Sequence, residues 1–600
     1  MFEDETASLS RILGEAIRAA GAPQPEKIEW VPVPFRESWG IGTAVCYQIA
    51  ALEAKSGRIA NVQKRAAELA QVVAQRSSPP EGFSRLEAEK AYVNAYFDTA
   101  TYASRVIDAA IEDAQDFGRG QPKTERVMVE YAQPNTHHSF HIGHHRNALL
   151  GESLARLVEF AGFETIRASY PGDLGLGVVT CMWAYDKFYR GQEPEGVHAR
   201  GQWLLKIYAE ANARLTPRAD ETPQEAAQRE TYDAERRAMY LRWDTGDPEI
   251  HELWRMTRQW SLDEFADILR MLDIKIDVFF FESQVEEQAK SVVDELIARG
   301  IAEDERPSGP VIVRIDEKLG LKKEKYRTAV ILRSDGTTLY LTKDLALARV
   351  KFEEYKVDRS VYVVDARQSL HFQQAFKILE LYGFQQAAKC HHLAYGYVTL
   401  PEGAMSARKG NVVLFKDVAD EAIERVRRII AEKNAELTEP LRSEVARQIG
   451  LGAMAYAMLS VDNTKDIVFN WDTALSFDGQ SAPYIQNAHV RASSILKKAG
   501  ALPERARYDR PLDPMEVNLI DLISRFPTIV QQAAAEYKPL LMATYAYDLA
   551  KSFHGFYHAV PVLQADDGAT RDLRLRLVAA TRQTLANALQ LLDIQAPSVM

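Results

Sequence analysis

A strand–turn–helix–strand succession beginning at Arg126 constrains this chain more than any other feature. Arg126 to Ala132 reads as a strand, apolar through Val127-Met128-Val129 and Tyr131-Ala132. Pro134 and Asn135 turn the chain. His141-Ile142-Gly143-His144 then opens an amphipathic helix with Leu149, Leu150, Leu154, Leu157, Val158 and Phe160 on its buried side. Gly162 stands where a helix C-cap is expected, and a second strand, Thr165 to Ser169, leads into Pro171-Gly172-Asp173-Leu174-Gly175. Strand–helix–strand units are nearly always parallel and right-handed. This part of the chain is therefore committed to a parallel sheet, which places a ligand at the carboxyl ends of its strands.

The pattern returns far downstream. Ser360 to Val364 is a short apolar strand, and a helix follows from about Gln368 to Leu381, ending near Gly383. The stretch between the two, about 186–330, is charge-rich and mainly helical, with one strand-like segment at Val311 to Ile315. One Rossmann-like parallel-sheet domain split by a long insertion accounts for both halves. Residues 1–118 read as a separate N-terminal α/β unit, mostly helix, with one strand-like stretch at Ile28 to Val33. Phe117 to Pro122 is its linker. From about residue 417 the pattern is almost all helical. The expected division is 1–118, 119–470 with the insertion at about 186–330, and a helical bundle over 471–600.

Composition narrows the setting. The 600 residues are 46% hydrophobic and 26% charged, which suits a water-soluble chain of three or four domains. No run approaches the ~18 apolar residues of a membrane span. Met1-Phe2-Glu3-Asp4-Glu5 lacks the basic start of a secretory signal. Cys46, Cys181 and Cys390 lie far apart, with neither disulfide nor zinc spacing, so a reducing cytoplasm is expected. The net charge of -11 argues weakly against a nucleic-acid coat protein. It leaves open a local basic face.

His141 and His144 stand three residues apart at a helix start, which puts both imidazoles on one face. Gly143 removes a side chain between them, so a ligand can approach the backbone. Free N–H groups and the helix dipole favour a phosphate there, and the imidazoles can hydrogen-bond its oxygens. Zinc is disfavoured, because no third ligand stands at metal spacing. A second element, Met405-Ser406-Ala407-Arg408-Lys409-Gly410-Asn411, is a polar, basic loop after the second parallel unit. Such a loop can close over the outer phosphates of ATP. Alone it reads as a solvated turn; in this order with the first segment, the pair is specific.

These two segments resemble the two signatures of class I aminoacyl-tRNA synthetases, which activate an amino acid as its adenylate and transfer it to tRNA. The stretch Gln133-Pro134-Asn135-Thr136-His137-His138-Ser139-Phe140-His141-Ile142-Gly143-His144 is similar to that of the arginyl members. The resemblance runs from about residue 126 to Met600. It implies an ATP-dependent arginine–tRNA ligase of translation, with the arginine tRNA and L-arginine as substrates and Mg2+ accompanying ATP. It implies no protein-bound metal and no membrane, and a monomer is expected. His141, His144, Arg408 and Lys409 would be catalytic. His138, Gly143, Met405 and Ser406 would join the two histidines around ATP.

By position, Glu130, Asn135, Tyr340, Asp344 and Gln368 are similar to family residues that hold arginine. Asp344 would take the guanidinium, with Tyr340 packing on the substrate one turn before it. Asn135 and Gln368 would bind the ammonium and carboxylate end. Read without the resemblance, Asp344 can equally be a helix cap, Tyr340 a core aromatic and Glu130 a solvent-facing strand residue. The stretch Phe469-Asn470-Trp471-Asp472 to Pro483-Tyr484-Ile485-Gln486-Asn487-Ala488-His489-Val490-Arg491 resembles the entry to the family's helical anticodon-binding domain. Gln486, His489, Arg491, Tyr557 and Met600 are its candidate tRNA contacts. The alternative is a plain bundle, preferred for Phe553 and Phe556.

The sequence also departs from the family. Ala404 and Ala407 stand where the common second signature has lysines, and His138 stands where many arginyl enzymes carry a compensating lysine. Arg408, Lys409 and His138 are the substitutes on offer. Asn487 replaces a usual aromatic. Two rivals are another class I synthetase, such as one for cysteine, and a tRNA-binding paralogue without catalysis. The pairing of Tyr340 with Asp344 argues against the first, and intact His141, Gly143 and His144 argue against the second.

Overall fold

A computed structural model describes residues 3–35, 37–399, 413–434 and 436–600. The chain forms two compact units, each gathered from several segments.

One unit comprises Met1–Phe117, Arg491–Pro527 and Lys551–Thr584. Its N-terminal part holds strands β1 (Val31–Val33), β2 (Gly40–Thr43), β3 (Phe83–Glu89) and β4 (Tyr92–Phe97) in one antiparallel sheet of order β1-β2-β4-β3. The sequence suggested one strand here. It concealed β3 because Ser-Arg-Leu-Glu-Ala-Glu has helix-favouring composition, and pairing with β4 overrides that preference. Val93, Ala95 and Phe97 of β4 are buried, as are Leu9, Leu13 and Ile17 of helix Glu3–Ala19. Within the same unit Arg576 pairs with Asp108 at 2.7 Å and Phe117 stacks on Phe526. N-terminal and C-terminal segments thus share one body.

The other unit comprises Gly118–Val490, Thr528–Ala550 and Leu585–Met600. Its centre is a five-stranded sheet. The members are β5 (Arg126–Glu130), β6 (Glu164–Ser169), β7 (Val278–Phe279), β11 (Arg359–Asp365) and β12 (Cys390–Tyr395), ordered β12-β11-β5-β6-β7. Every pairing is parallel. The sheet grows outward from β5 through β6 to β7, then returns to β5's other side with β11 and β12. The winding therefore reverses between β5 and β11, where such sheets bind ligands. The sequence missed β7 and β12. The first is two residues long, and the second, Cys-His-His-Leu-Ala-Tyr, lacks an apolar run.

The insertion contributes helices Val197–Leu215, Pro223–Asp244 and Pro248–Met271. The last two start cleanly: Thr222 and Glu225 form a reciprocal cap, and Asp247 caps a helix with proline in its first turn. A small antiparallel sheet of β8 (Glu303–Asp304), β9 (Val311–Arg314) and β10 (Thr328–Leu332) follows. Among the described residues no helix is long and apolar enough to cross a membrane.

Candidate active site

The helix Ile142–Phe160 leaves the carboxyl end of β5 and is fastened across the switch point by Asn147. Its side-chain oxygen accepts from the Ala132 N–H at 2.6 Å, and its amide donates to the Val363 carbonyl at 2.7 Å. One buried side chain thus ties the end of β5 to the end of β11, which sets where the helix begins. The chain at Val413–Phe415 runs alongside that beginning, with Ile142 N–H donating to Val413 and Phe415 N–H to Phe140.

At the helix start the two signature histidines cap each other. His141 Nδ1 accepts from the N–H groups of Gly143 and His144, and His144 Nδ1 accepts from the His141 N–H. The rings stack with centroids 3.6 Å apart. A Cβ on Gly143 would lie 3.0 Å from the His141 ring, so this glycine makes room for the ring. The expectation of free N–H groups at this helix start is thereby corrected, since His141 already takes those of Gly143 and His144. What remains for a ligand is the far side of each imidazole. A nitrogen that accepts an N–H carries no proton, so each ring is an Nε2–H donor. Burial lowers His141 to about 4, and lowers His144 well below its ordinary value. Both therefore stay neutral at physiological pH.

Beside this, at the same strand ends, lies a cluster of carboxylates from four separate segments. Glu130 ends β5 and is paired with Lys351 at 2.6 Å, both buried. Lys351 Nζ also sits 3.8 Å over the Tyr362 ring. Burial raises Glu130 against the pull of Lys351. Asp173 follows β6 and takes Arg258 at 2.9 Å and the Ser283 hydroxyl at 2.8 Å. Glu282 follows β7 and shares Lys343 with Glu286, at 3.4 and 3.3 Å. Burial pushes Glu282 up to about 7. Asp344, on helix Tyr340–Glu353, is bonded by His371. Glu130, Asp173, Glu282 and Glu286 thus share the permanent cations Lys351, Arg258 and Lys343, while Asp344 is paired with His371. The Tyr170 hydroxyl is buried without a hydrogen-bond partner, and burial, with the nearby charges of Asp344, Glu282, Glu130 and Asp173 adding to it, holds it well above its ordinary value. A site with more buried carboxylates than permanent cations suits a cationic ligand with several donors.

Asn135 and Glu282 meet around Gly172. A Cβ there would stand 2.4 Å from Asn135 Oδ1 and 3.1 Å from Glu282 Oε1. Tyr340 is 60% exposed, so its ring has a face to offer. Gln368 is exposed just past β11. The structure thus brings Glu130, Asn135, Tyr340, Asp344 and Gln368 to the same strand-end region as His141, Gly143 and His144. His138 lies edge-on to Tyr208, 4.4 Å between centroids. Met405, Ser406, Arg408 and Lys409 lie outside the described residues.

The comparisons with known proteins agree with this geometry. A family model described as the catalytic domain of class I tRNA synthetases (R) matches residues 106–471. A model for the DALR anticodon binding domain matches 485–600. An arginine–tRNA ligase of Bdellovibrio bacteriovorus is 38% identical over 85% of this chain and 86% of its own length. One from Clostridioides difficile is 32% identical over the full length of both chains.

The chain belongs to the arginyl-tRNA synthetase family.

The solved arginyl-tRNA synthetase of Thermus thermophilus superposes with a TM-score of 0.77 at 26% identity, covering 99% of this chain and all of that one. The family's fold is therefore the one seen here, a Rossmann-like catalytic domain followed by a helical anticodon-binding domain. The carboxylate cluster adds residues that the sequence did not single out, namely Tyr170, Asp173, Glu282, Lys343 and Lys351. Tyr170 and Asp173 carried a usable signal, since they directly follow a parallel strand. Glu282 follows a two-residue strand and gave none.

Two anticodon-end candidates work inside the protein. Gln486 is fully buried, and its amide donates to the carbonyls of Gln595, at 2.8 Å, and Gln448. His489 is buried with Nδ1 at 2.8 Å from the Pro597 carbonyl. Both hold the C-terminal tail and have little surface for a nucleotide, which corrects their reading as tRNA contacts. Polar groups on an apolar helix signal a buried partner as readily as a ligand. The Met600 carbonyl accepts from Asn434 at 3.2 Å, and its side chain packs against the buried cluster of Val426, Ile430, Val445, Ala446 and Ile449. In the first unit the Arg491 guanidinium sits 4.9 Å over the Tyr557 ring, which is 41% exposed. Among the described residues no group of side chains is arranged to hold a metal ion.

Proposed function

We propose that the protein joins arginine to its tRNA: arginine, ATP and tRNA give arginyl-tRNA, AMP and pyrophosphate. The observation that carries the arginine assignment is the buried Tyr170 hydroxyl without a partner among four carboxylates, beside the signature histidines. A guanidinium brings one delocalised charge and five N–H donors in a plane, which answers that surplus of acceptors. Asp344, Glu130 and Tyr340 would receive it, with Glu282 and Tyr170 as further partners. Asn135 and Gln368 would hold the ammonium and carboxylate end.

The arginine carboxylate attacks the α-phosphorus of ATP and pyrophosphate leaves. The 3′-terminal hydroxyl of tRNA then attacks the activated carbonyl and AMP leaves. His141 and His144 act as neutral Nε2–H donors to oxygens that gain charge in the first step. Positioning does the remainder. Arg408, Lys409 and His138 are the candidate cations toward the pyrophosphate, with Met405 and Ser406 on the same loop and Mg2+ carried in with ATP. For tRNA, the Arg491–Tyr557 pair supplies a phosphate-binding charge and a stacking face, and Met600 stands at the tail that Gln486 and His489 hold. The proposal places a monomer in the cytoplasm, and the free thiols of Cys46, Cys181 and Cys390 support a reducing setting.

The test is charging of total tRNA by the purified protein with ATP and each amino acid in turn. Incorporation of arginine alone supports the reading. Charging by another amino acid sinks the arginine assignment, and no charging leaves a tRNA-binding protein.

A further inference from the structure

The loop between β5 and the signature is gripped by the insertion, and the grip centres on a residue outside the candidate set. His137 is fully buried and adopts φ +62°, the left-handed region that a histidine seldom enters. Helix Pro248–Met271 holds it twice. The Ser261 hydroxyl accepts from the His137 N–H at 2.8 Å, and Thr257 Oγ1 lies 2.8 Å from His137 Nε2. Thr257 spends its own proton on the Leu253 carbonyl at 2.9 Å, so His137 Nε2–H is the donor in that bond. Nδ1 lies 3.1 Å from Thr136 Oγ1, which is also 3.3 Å from the Gly172 carbonyl.

The same helix face reaches three residues further along the loop. Glu264 is hydrogen-bonded by the Phe140 backbone, and Phe265 packs edge-on to the Phe140 ring. Gly201 permits this, because a Cβ there would lie 2.2 Å from the Glu264 carboxylate. Positions 257, 261, 264 and 265 form one helical stripe. All of it is directed at residues 137–140, which end immediately before His141. None of it touches the carboxylate cluster.

We infer that His137 is a positioning residue for the nucleotide half of the site. Through Thr257 and Ser261, the insertion fixes the loop that sets where the His141 and His144 rings stand. The inference rests on the proposed ligase activity and deepens it. Losing the Thr257 bond lets the signature drift relative to the strand ends, while the arginine pocket stays held by Lys351, by Lys343 and, from the next residue of the same helix, by Arg258 on Asp173.

The test is steady-state charging with tRNA present, alongside thermal melting. Thr257→Val keeps the side-chain volume and removes the acceptor. It is expected to lower kcat about tenfold or more with arginine KM within about a factor of two, because small misplacements of reacting groups are costly to rate. Thr257→Ser keeps the hydroxyl and should restore kcat. His137→Ala, which leaves the insertion helix unchanged, should repeat the kcat loss and decides the matter if Thr257→Val fails to fold. A folded Thr257→Val enzyme with wild-type kcat overturns the inference. So does a loss shared equally by arginine KM, or a serine variant as impaired as valine. A wild-type protein that charges no tRNA would instead overturn the ligase reading, so the two failures are told apart.

Discussion

The two halves of the catalytic cleft use opposite electrostatics. At the signature, two imidazoles cap each other, stack and stay neutral, and only N–H donors are offered outward. At the carboxylate cluster, charges are buried in numbers and held by Lys351, Arg258 and Lys343. The difference follows what each half would meet. A triphosphate arrives already charged with its own counter-ion, so fixed neutral donors suffice and avoid repulsion among protein cations. A guanidinium is a lone, weakly hydrated cation, and selecting it over other side chains takes desolvated carboxylates. Neutral donors can be preorganised by one helix turn. Buried charges need partners, and partners must come from elsewhere in the chain.

The largest expected effect breaks the charged half. Lys351→Met leaves Glu130 buried without its cation and should destabilise the folded state by about 3–5 kcal/mol, read by chemical denaturation. A loss under ~1 kcal/mol would mean that Glu130 is solvated or already protonated. Next comes the neutral half. His144→Ala removes one outward donor and the acceptor for the His141 N–H. It should cut kcat about a hundredfold or more with arginine KM little changed. An unchanged kcat would remove His144 from the chemistry. Asp344→Asn keeps shape and removes charge. Arginine KM should rise roughly tenfold to a hundredfold, the cost of a charge-assisted bond, while ATP KM stays within about twofold. A matching rise in ATP KM would show that the halves are not separable.

The smallest effect concerns Glu264, which abuts the neutral half. Burial pushes it from 4.5 up to about 8, opposed by the Phe140 backbone bond. Its folded value is raised, so its contribution is fully present below pH 4.5 and is lost as pH rises to about 8. Glu264→Gln cannot ionise and should melt a few degrees above wild type at alkaline pH, with little difference in mild acid. Parallel melting curves at both pH values would argue that Glu264 is already hydrated.

The signature half was legible because it is local. His141, Gly143 and His144 are consecutive in space for the same reason that they are consecutive in sequence. Even so, the sequence implied free helix-start N–H groups, and only the fold reveals that His141 takes two of them. The charged half was legible residue by residue and not as a set. Glu130, Tyr340 and Asp344 were expected from the resemblance, yet nothing in the chain announced that Lys351 is the partner of Glu130 across 221 positions. Gln486 and His489 show the opposite failure. A polar group on an apolar helix was read as a contact outward, when the carbonyls of Gln595 and Pro597 wait inward.

By itself the sequence determined a parallel sheet, opened at Arg126 and resumed near Ser360, because side-chain periodicity and turn chemistry act over a few residues. It also determined which residue types stand at the strand ends. Tertiary structure decided the protonation of the two histidines, the counter-ions of the carboxylates and the use of the insertion to hold His137. Those depend on burial and on distances between segments hundreds of residues apart, and neither is written in any local pattern.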